Sequence, residues 1–355
     1  MYTITLEVNQ ICNFNCRYCY LGEKAGNIMD IETAIKALDI AILNAKHHRD
    51  RRLWVDYVGG EALINFNFLK NISEYIERKV KEKNISVTYS LTTNGSIMNS
   101  EILAWLIDKK VHIKLSIDGA EEVHNRNRIL KNGYGSYETV KENLLYFKQY
   151  ENKTGLRIQG AHVVTKNNYA EVFSSVKHLV EQLGFDVIDS SFDLTCCWSE
   201  EELQTIAKEW DEIVRYYIYR LSIKKPFLWG TLIDIQKCGR EKCDGYLCGV
   251  GMTRIYVRTN GEIYGCAANL SDTGLLGNVE FGINTKLIRM HQQISLNGIV
   301  CSKCKVNKNC SIRGCIMNRL NHNGDASMPN PVMCFFEKTR MKLWNDYHEV
   351  LELYL

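Results

Sequence analysis

The sequence predicts an α/β fold: a partial (β/α)6 barrel followed by a cysteine-rich region with a small β-hairpin and helices. Three observations predict it. Through the first half, short β-rich runs alternate with amphipathic helical stretches, the pattern of βα units around a parallel sheet. The fourteen cysteines fall in two clustered regions, three between residues 12 and 19 and nine between 238 and 334, with Cys196 and Cys197 alone between them. The 355 residues exceed the usual ceiling for one hydrophobic core, so two domains are expected.

The strand candidates are Thr3 to Val8, Leu53 to Val58, Ile85 to Leu91, Val111 to Ile117, Leu156 to Val164 and Phe185 to Phe192. Between them, Ile31, Ile35, Leu38 and Ile42 mark one helix face after a capping Asp30. Ile102, Leu103, Leu106 and Ile107 mark a second after Asn99 or Ser100, and Val172, Val176, Leu179, Val180 and Leu183 a third. Six such units make a partial barrel, whose active site belongs at the carboxyl ends of the strands. Ser199 with Glu202 is a capping box opening a helix with an apolar stripe of Trp210, Ile213, Tyr217 and Leu221, which suits packing between domains. The run TRIYVRTNGEIYGC, centred on Asn260 and Gly261, reads as a β-hairpin presenting Cys266. A terminal helix is expected from about Glu337. The division is therefore a barrel over 1–195, a linker helix region over 196–235, a cysteine-rich domain over 236–336 and a carboxyl-terminal helix over 337–355.

Composition narrows the function classes. With 45% hydrophobic residues, 24% charged and three prolines, the chain reads as globular throughout. The net charge of +3 is small for the length, and the one basic run is HHRDRR at 47–52, so no nucleic-acid partner is expected. No run approaches the ~18 apolar residues of a membrane span, and MYTITLEVNQ lacks the basic start and long apolar run of a signal peptide. The expectation is a soluble cytoplasmic protein. A reducing cytosol keeps thiols free, so metal or iron-sulfur ligation accounts for this many cysteines better than disulfides do.

Cys12, Cys16 and Cys19 stand just beyond the first strand in ICNFNCRYCYLG, spaced C-x3-C-x2-C, with Tyr18 before the last. Three thiolates would leave one iron of a 4Fe-4S cluster open, whereas four close it. A structural zinc site, or apolar cysteines sharing one helix face, is the alternative. The triplet and its place after the first strand resemble the radical S-adenosylmethionine (AdoMet) superfamily. That resemblance implies a TIM-like partial barrel in which the open iron holds AdoMet and a 5'-deoxyadenosyl radical is made.

The loops after the next three strands extend the resemblance. Gly59, Gly60 and Glu61 resemble the family's GGE motif, which implies contact with the AdoMet amino group; residues without Cβ admit close backbone approach, and an acid pairs with a cation. Thr93, Asn94 and Gly95 in LTTNG, and Ser116 and Asp118 in LSIDG, resemble segments that line the AdoMet pocket, with Tyr18 beside them. Each is by itself an ordinary turn, but together they follow strands two, three and four in the expected order. His124, Arg128, Gly135, Ser136 and Tyr137 resemble the H-x3-R...G-S-[FY] segment of peptide-modifying members, and Ser136 would also serve as a helix N-cap.

The rear cysteines resemble a SPASM domain, which implies two auxiliary 4Fe-4S clusters and, with the front one, three in all. Carried over by position, the first has Cys248, Cys266 and Cys315 plus an upstream ligand, Cys243 or Cys238, with Cys243 preferred for its distance from Cys248. The second has Cys301, Cys304, Cys310 and Cys334. One departure is the four residues between Cys310 and Cys315, where the family usually has three. The alternative is a pair of zinc knuckles, which separates from clusters by colour.

The implied activity is oxidative crosslinking of a ribosomally synthesised precursor peptide, either carbon to carbon as in cyclophanes or sulfur to carbon as in thioethers. The implied partners are that peptide and an electron donor such as flavodoxin or ferredoxin. Since the first strand starts at about residue 3, either a separate leader-binding protein captures the leader or the enzyme's own surfaces do. A formylglycine-forming sulfatase-maturing enzyme and a small-molecule dehydrogenase of the same superfamily are the alternatives. In the former an Asp follows the cysteine matching Cys266, whereas here Ala267 does, which argues against formylglycine formation; no catalytic residue is assigned.

Overall fold

The computed structural model describes residues 1–22, 25–240, 248–296 and 298–353. Six strands follow the expected order: β1 (Tyr2–Asn9), β2 (Arg52–Gly59), β3 (Ser86–Thr93), β4 (His112–Ser116), β5 (Gln159–Val164) and β6 (Val187–Phe192). Neighbours pair in parallel, in sequence order. The helices α1 (Ile31–His47), α2 (Phe66–Glu82), α3 (Ser100–Lys109), α4 (Glu121–Asn127), α5 (Tyr137–Thr154) and α6 (Val172–Glu181) connect them.

The fifth and sixth strands start later than their apolar runs suggest, because neighbouring helices claim the leading backbone groups. Ile158 N–H donates to Glu151 Oε1 (3.0 Å) and Leu156 N–H to Thr154 Oγ1 (3.1 Å), while Phe185 N–H closes the end of α6 on Leu179 O (3.0 Å). The first helix is turned from its expected face. Ile31 is exposed and Ile35 half-buried, and the buried stripe is Ala34, Ala37, Leu38, Ala41, Ile42 and Ala45, whose small side chains suit close packing on the sheet. Asp30 and Asn99 cap α1 and α3 through their side chains, to Thr33 N–H and Ile102 N–H.

The sheet does not stop at six strands. After α7 (Glu200–Ser222), opened by the Ser199/Glu202 capping box, β7 (Leu228–Trp229) pairs in parallel with β6 and leads into α8 (Gly230–Arg240). On the other side β8 (Arg254–Val257) pairs in parallel with β1, turns at Gly261 (φ +82°) into the antiparallel β9 (Glu262–Tyr264), and continues into β10 (Leu275–Asn278) and β11 (Gly282–Ile283). The result is one eleven-stranded sheet with β7 and β11 at its two ends. Short elements α9 (Thr285–Leu296), α10 (Ile299–Ser302) and α11 (Ile316–Asn323) follow, with Cys301 in α10, Cys304 and Cys310 in the turns after it and Cys315 at the N-cap of α11.

The terminal helix, α12 (Pro331–Leu353), starts before Glu337, so Cys334 lies in its first turn. Two residues on, Phe336 is buried and stacks on Phe192 of β6 (centroids 4.0 Å apart) and Trp210 of α7 (5.2 Å), with Trp229 of β7 edge-on to Trp210 at 5.8 Å. Trp210 therefore packs against the sixth strand and the terminal helix together.

Candidate active site at the carboxyl ends of the strands

The cysteine loop leaves β1 as turns, not as a helix. Asn15 N–H bonds Ile129 O (2.7 Å) and Arg17 N–H bonds Asn127 O (3.0 Å), fixing the loop to the end of α4, and Cys19 N–H closes a turn on Cys16 O (3.2 Å). Cys12 is buried, and Phe14 N–H reaches its Sγ (3.4 Å). Burial pushes the Cys16 thiol above its ordinary value; Arg128 opposes this, and Asp118, Cys12 and Cys19 add to it. The three thiols thus share one electrostatic neighbourhood.

Gly59 and Gly60 make a close approach, and what they approach is this loop. A Cβ on Gly60 would stand 2.1 Å from Ile11 O, and one on Gly59, at φ +154°, 2.4 Å from Asn9 O. Gly60 N–H bonds Asn9 O (2.9 Å) and Glu61 N–H bonds Ile11 O (2.8 Å). The Glu61 carboxylate is buried and accepts from Leu63 N–H (3.0 Å), Thr93 Oγ1 (2.9 Å) and Asn94 N–H (2.7 Å). Burial pushes its pKa up despite those bonds. Asn94 in turn donates to Asn13 Oδ1 (2.9 Å) and reaches Cys12 Sγ (3.7 Å). Glu61 therefore locks three loops to one another.

A second buried network ties the loop to β4. Tyr18 Oη donates to Asp118 Oδ2 (2.7 Å), Val163 N–H donates to Asp118 Oδ1 (3.1 Å), and Arg128 Nε lies 3.2 Å from Asp118 Oδ2 with its guanidinium 5.2 Å over the Tyr18 ring. Burial pushes the Asp118 carboxyl up, but Arg128, His124, His162 and the Tyr18 hydroxyl together leave it below its ordinary value. His124 takes the Asp118 N–H on Nδ1 (3.3 Å) and faces Ser136 Oγ through Nε2 (3.0 Å). Burial holds this imidazole down to about 3, so it is neutral. Ser136 occupies the N-cap position of α5 without a side-chain cap bond; its hydroxyl donates to Arg128 O (2.8 Å), and Asn125 Oδ1 accepts the Tyr137 N–H (3.0 Å) instead. Gly135 lies against Asn125, which a Cβ would meet at 2.3 Å. Ser116 ends β4, half-buried at the same end of the sheet.

Polar groups deeper in the sheet, outside any of the sequence motifs, add to the network. Glu7 of β1 is buried and accepts from Gln10 Nε2 (2.7 Å) and Tyr256 Oη (2.8 Å), joining β1 to β8. Asp56 of β2 accepts from Ser90 Oγ (2.5 Å), which itself accepts from Trp54 Nε1 (2.6 Å). Asn9 and Asn13 also act as loop clamps. An acid inside an otherwise apolar run, as in TLEV or WVDYV, was the available signal.

In the carboxyl region the thiols gather in two groups. Burial pushes Cys266 up to about 12, with Cys315 and Cys248 adding to it, and Cys248 acts on Cys315 as well. Cys301 and Cys304 act on Cys334, while Glu337, Cys334 and Cys301 act on Cys310. Two consecutive turns, Arg313 N–H to Cys310 O and Cys315 N–H to Ile312 O, absorb the extra residue between Cys310 and Cys315. Cys243 lies outside the described residues, and Cys238 falls in α8. Cys196 and Cys197 stand apart near the end of β6, Cys196 half-buried and Cys197 exposed. Among the described residues, no three His, Cys, Asp or Glu side chains close on the small radius of a single metal ion.

Residues 6–176 match the model of the radical SAM superfamily. The chain carries a radical SAM domain. Proteins of this superfamily bind AdoMet and a 4Fe-4S cluster. The cysteine-type anaerobic sulfatase-maturating enzyme of Clostridium perfringens is 24% identical over 323 residues, covering 84% of each chain. The solved structure of native anSMEcpe with bound AdoMet and Cp18Cys peptide superposes with a TM-score of 0.77 at 20% identity, over 99% of this chain and 98% of that one. Streptococcus suis SuiB bound to precursor peptide SuiA superposes at 0.64 with 16% identity, over 94% and 75%. These likenesses show that the fold extends beyond the radical SAM domain through the cysteine-rich region. Among the described residues, no helix is long and apolar enough to cross a membrane.

Proposed function

We propose that this protein is a peptide-modifying radical SAM/SPASM enzyme that oxidatively crosslinks a ribosomally made precursor, carbon to carbon or sulfur to carbon. One observation carries the reading: the fold gathers three groups of thiols and interlocks the first with the GGE and TNG turns. Solved relatives of the same fold hold peptides, which supports a peptide substrate here.

In this reading Cys12, Cys16 and Cys19 hold the front 4Fe-4S cluster. Tyr18, Gly59, Gly60, Glu61, Thr93, Asn94, Ser116 and Asp118 line or brace the AdoMet pocket. Cys248, Cys266 and Cys315, with Cys243 or Cys238, hold one auxiliary cluster, and Cys301, Cys304, Cys310 and Cys334 the other. The donors fit such groups: thiols at buried to exposed positions, within electrostatic reach of one another. When bound, cluster and AdoMet supply a radical that removes a hydrogen atom from the substrate. The chain's part is to fix the pocket. Glu61 keeps three loops in register, and Asp118 with Arg128 holds the Tyr18 side of the cysteine loop in place. The assignment of 1–195 to the barrel, 196–235 to a linker, 236–336 to the SPASM region and 337–355 to a terminal helix belongs to the same proposal, as do an electron donor of the flavodoxin or ferredoxin kind and a leader-binding partner.

Formylglycine formation is the second reading, favoured by the similarity to the Clostridium perfringens enzyme. Ala267 after Cys266 argues against it, since the side chain there carries no base. Anaerobic reconstitution tests the common core: about twelve irons per chain and 5'-deoxyadenosine on reduction are expected. Replacing Cys12, Cys16 and Cys19 with Ala abolishes AdoMet cleavage and spares the rear iron; normal turnover by that variant refutes the front assignment. Co-expression with short reading frames beside the gene separates the two readings. Loss of two hydrogens from a peptide means a crosslink, whereas loss of sulfur from a cysteine with a new aldehyde means formylglycine.

A further inference from the structure

Arg319, in the second turn of α11, is 2% exposed, and nothing in the proposed reaction has used it. Its guanidinium is fixed on several sides. Nη1 donates to Ala326 O (3.0 Å) and Ser327 O (3.1 Å), and Nη2 donates to Arg313 O (2.9 Å) and to Cys301 Sγ (3.0 Å). Its charge also acts on Cys334 of the same thiol group and, from the other side, on Cys315 of its neighbour. The three carbonyls satisfy most of the N–H groups without neutralising the cation, and an arginine does not deprotonate in a protein. A full positive charge is thus aimed at one sulfur.

We propose that Arg319 is a positioning residue that sets the reduction potential of the centre held by Cys301, raising it by an N–H···S bond and by its charge. The inference rests on the cluster reading above. Taking up one electron adds one negative charge to that centre, and a cation about 3 Å from a ligand sulfur in a buried site favours the more negative state. The electron in question is the one the peptide radical gives up, together with a proton, when the new bond closes. Among the hydrogen bonds of the described residues Arg319 donates to Cys301 Sγ, whereas Cys315 of the neighbouring group meets only its charge, so the larger effect falls on the centre held by Cys301.

The test is a redox titration of the anaerobically reconstituted full chain, followed by electron paramagnetic resonance, for wild type, Arg319→Lys and Arg319→Met. The couple of the centre held by Cys301 should fall most in Arg319→Met and less in Arg319→Lys, with a smaller fall in the neighbouring rear couple and the front couple unmoved. Unchanged potentials in Arg319→Met, with iron content kept, overturn the inference. So does loss of that one centre from both variants, which would mean that Arg319 only holds the 298–327 backbone together. A wild-type chain that never loads iron at Cys301 defeats the cluster reading itself, which is a different failure.

Discussion

The front thiol loop and the rear thiol region are held by different means. Around Cys12, Cys16 and Cys19 the chain has built its own cage, in which Gly60 and Glu61 clasp the loop backbone and a buried Asp118–Arg128 pair fixes its far side. That cage rests on the continuous barrel core. Apart from Cys334 on the long terminal helix, the rear sulfurs sit among short helices and turns beside a small separate core of Val250, Leu276, Ile288, Ile316, Met317, Leu320 and Ala326. So few buried side chains provide little stabilisation against the chain entropy of ordering the region. The front loop is thus braced by the fold itself, whereas the rear region has few contacts of its own to hold it.

The largest expected effect breaks the front cage. Asp118→Ala leaves Arg128 buried without its partner, and such a loss costs about 3–5 kcal/mol; chemical denaturation should show it, and iron loading at the front site should fall with it. Phe336→Ala removes the ring stacked between Phe192 and Trp210, with a loss of about 3–5 kcal/mol. Iron content at the rear thiols, measured on the reconstituted variant, should fall with it, because Cys334 lies two residues before Phe336 on the same helix. Chelating the iron separates the regions directly. Hydrogen exchange should accelerate through residues 248–330 and change little in β1 to β4, and uniform acceleration would mean that the front site is equally dependent on its cofactor.

The smallest effect is the pH dependence of the cage. His124 and His162 are buried neutral, held down to about 3 and about 4 by burial. Unfolded, each takes a proton near 6.5, so between about pH 6.5 and 4 the unfolded chain binds more protons. Barrel stability is then complete above that window and falls as pH drops through it. Denaturation midpoints at pH 7 and 5 should differ in wild type and differ less in His124→Gln.

Much of this was legible in the sequence because period and punctuation carry it. The six βα units, the Ser199/Glu202 cap and the Asn260–Gly261 hairpin each follow from local residues. What escaped depends on partners far along the chain. The two-residue strand β7 is too short to leave a pattern, and β8 joins the sheet beside β1 only through a distant pairing, Thr3 with Arg254. Gly59 and Gly60 were legible as a close approach, but their partner, the Asn9–Cys12 backbone, was not. Glu61 shows the same limit. An acid after two glycines is legible as a partner for a ligand's cation, but its three donors within the fold, Leu63, Thr93 and Asn94, are not.

The placement of Phe336 orders events during synthesis. Its ring seals β6 and α7, elements made more than a hundred residues earlier, and β8 must also arrive before β1 has its second neighbour. A ribosome that has finished the radical SAM domain therefore still displays an unsealed aromatic wall. That wall becomes watertight only when the helix bearing Cys334 emerges, so assembly of the catalytic half waits on the same helix that brings the last thiol.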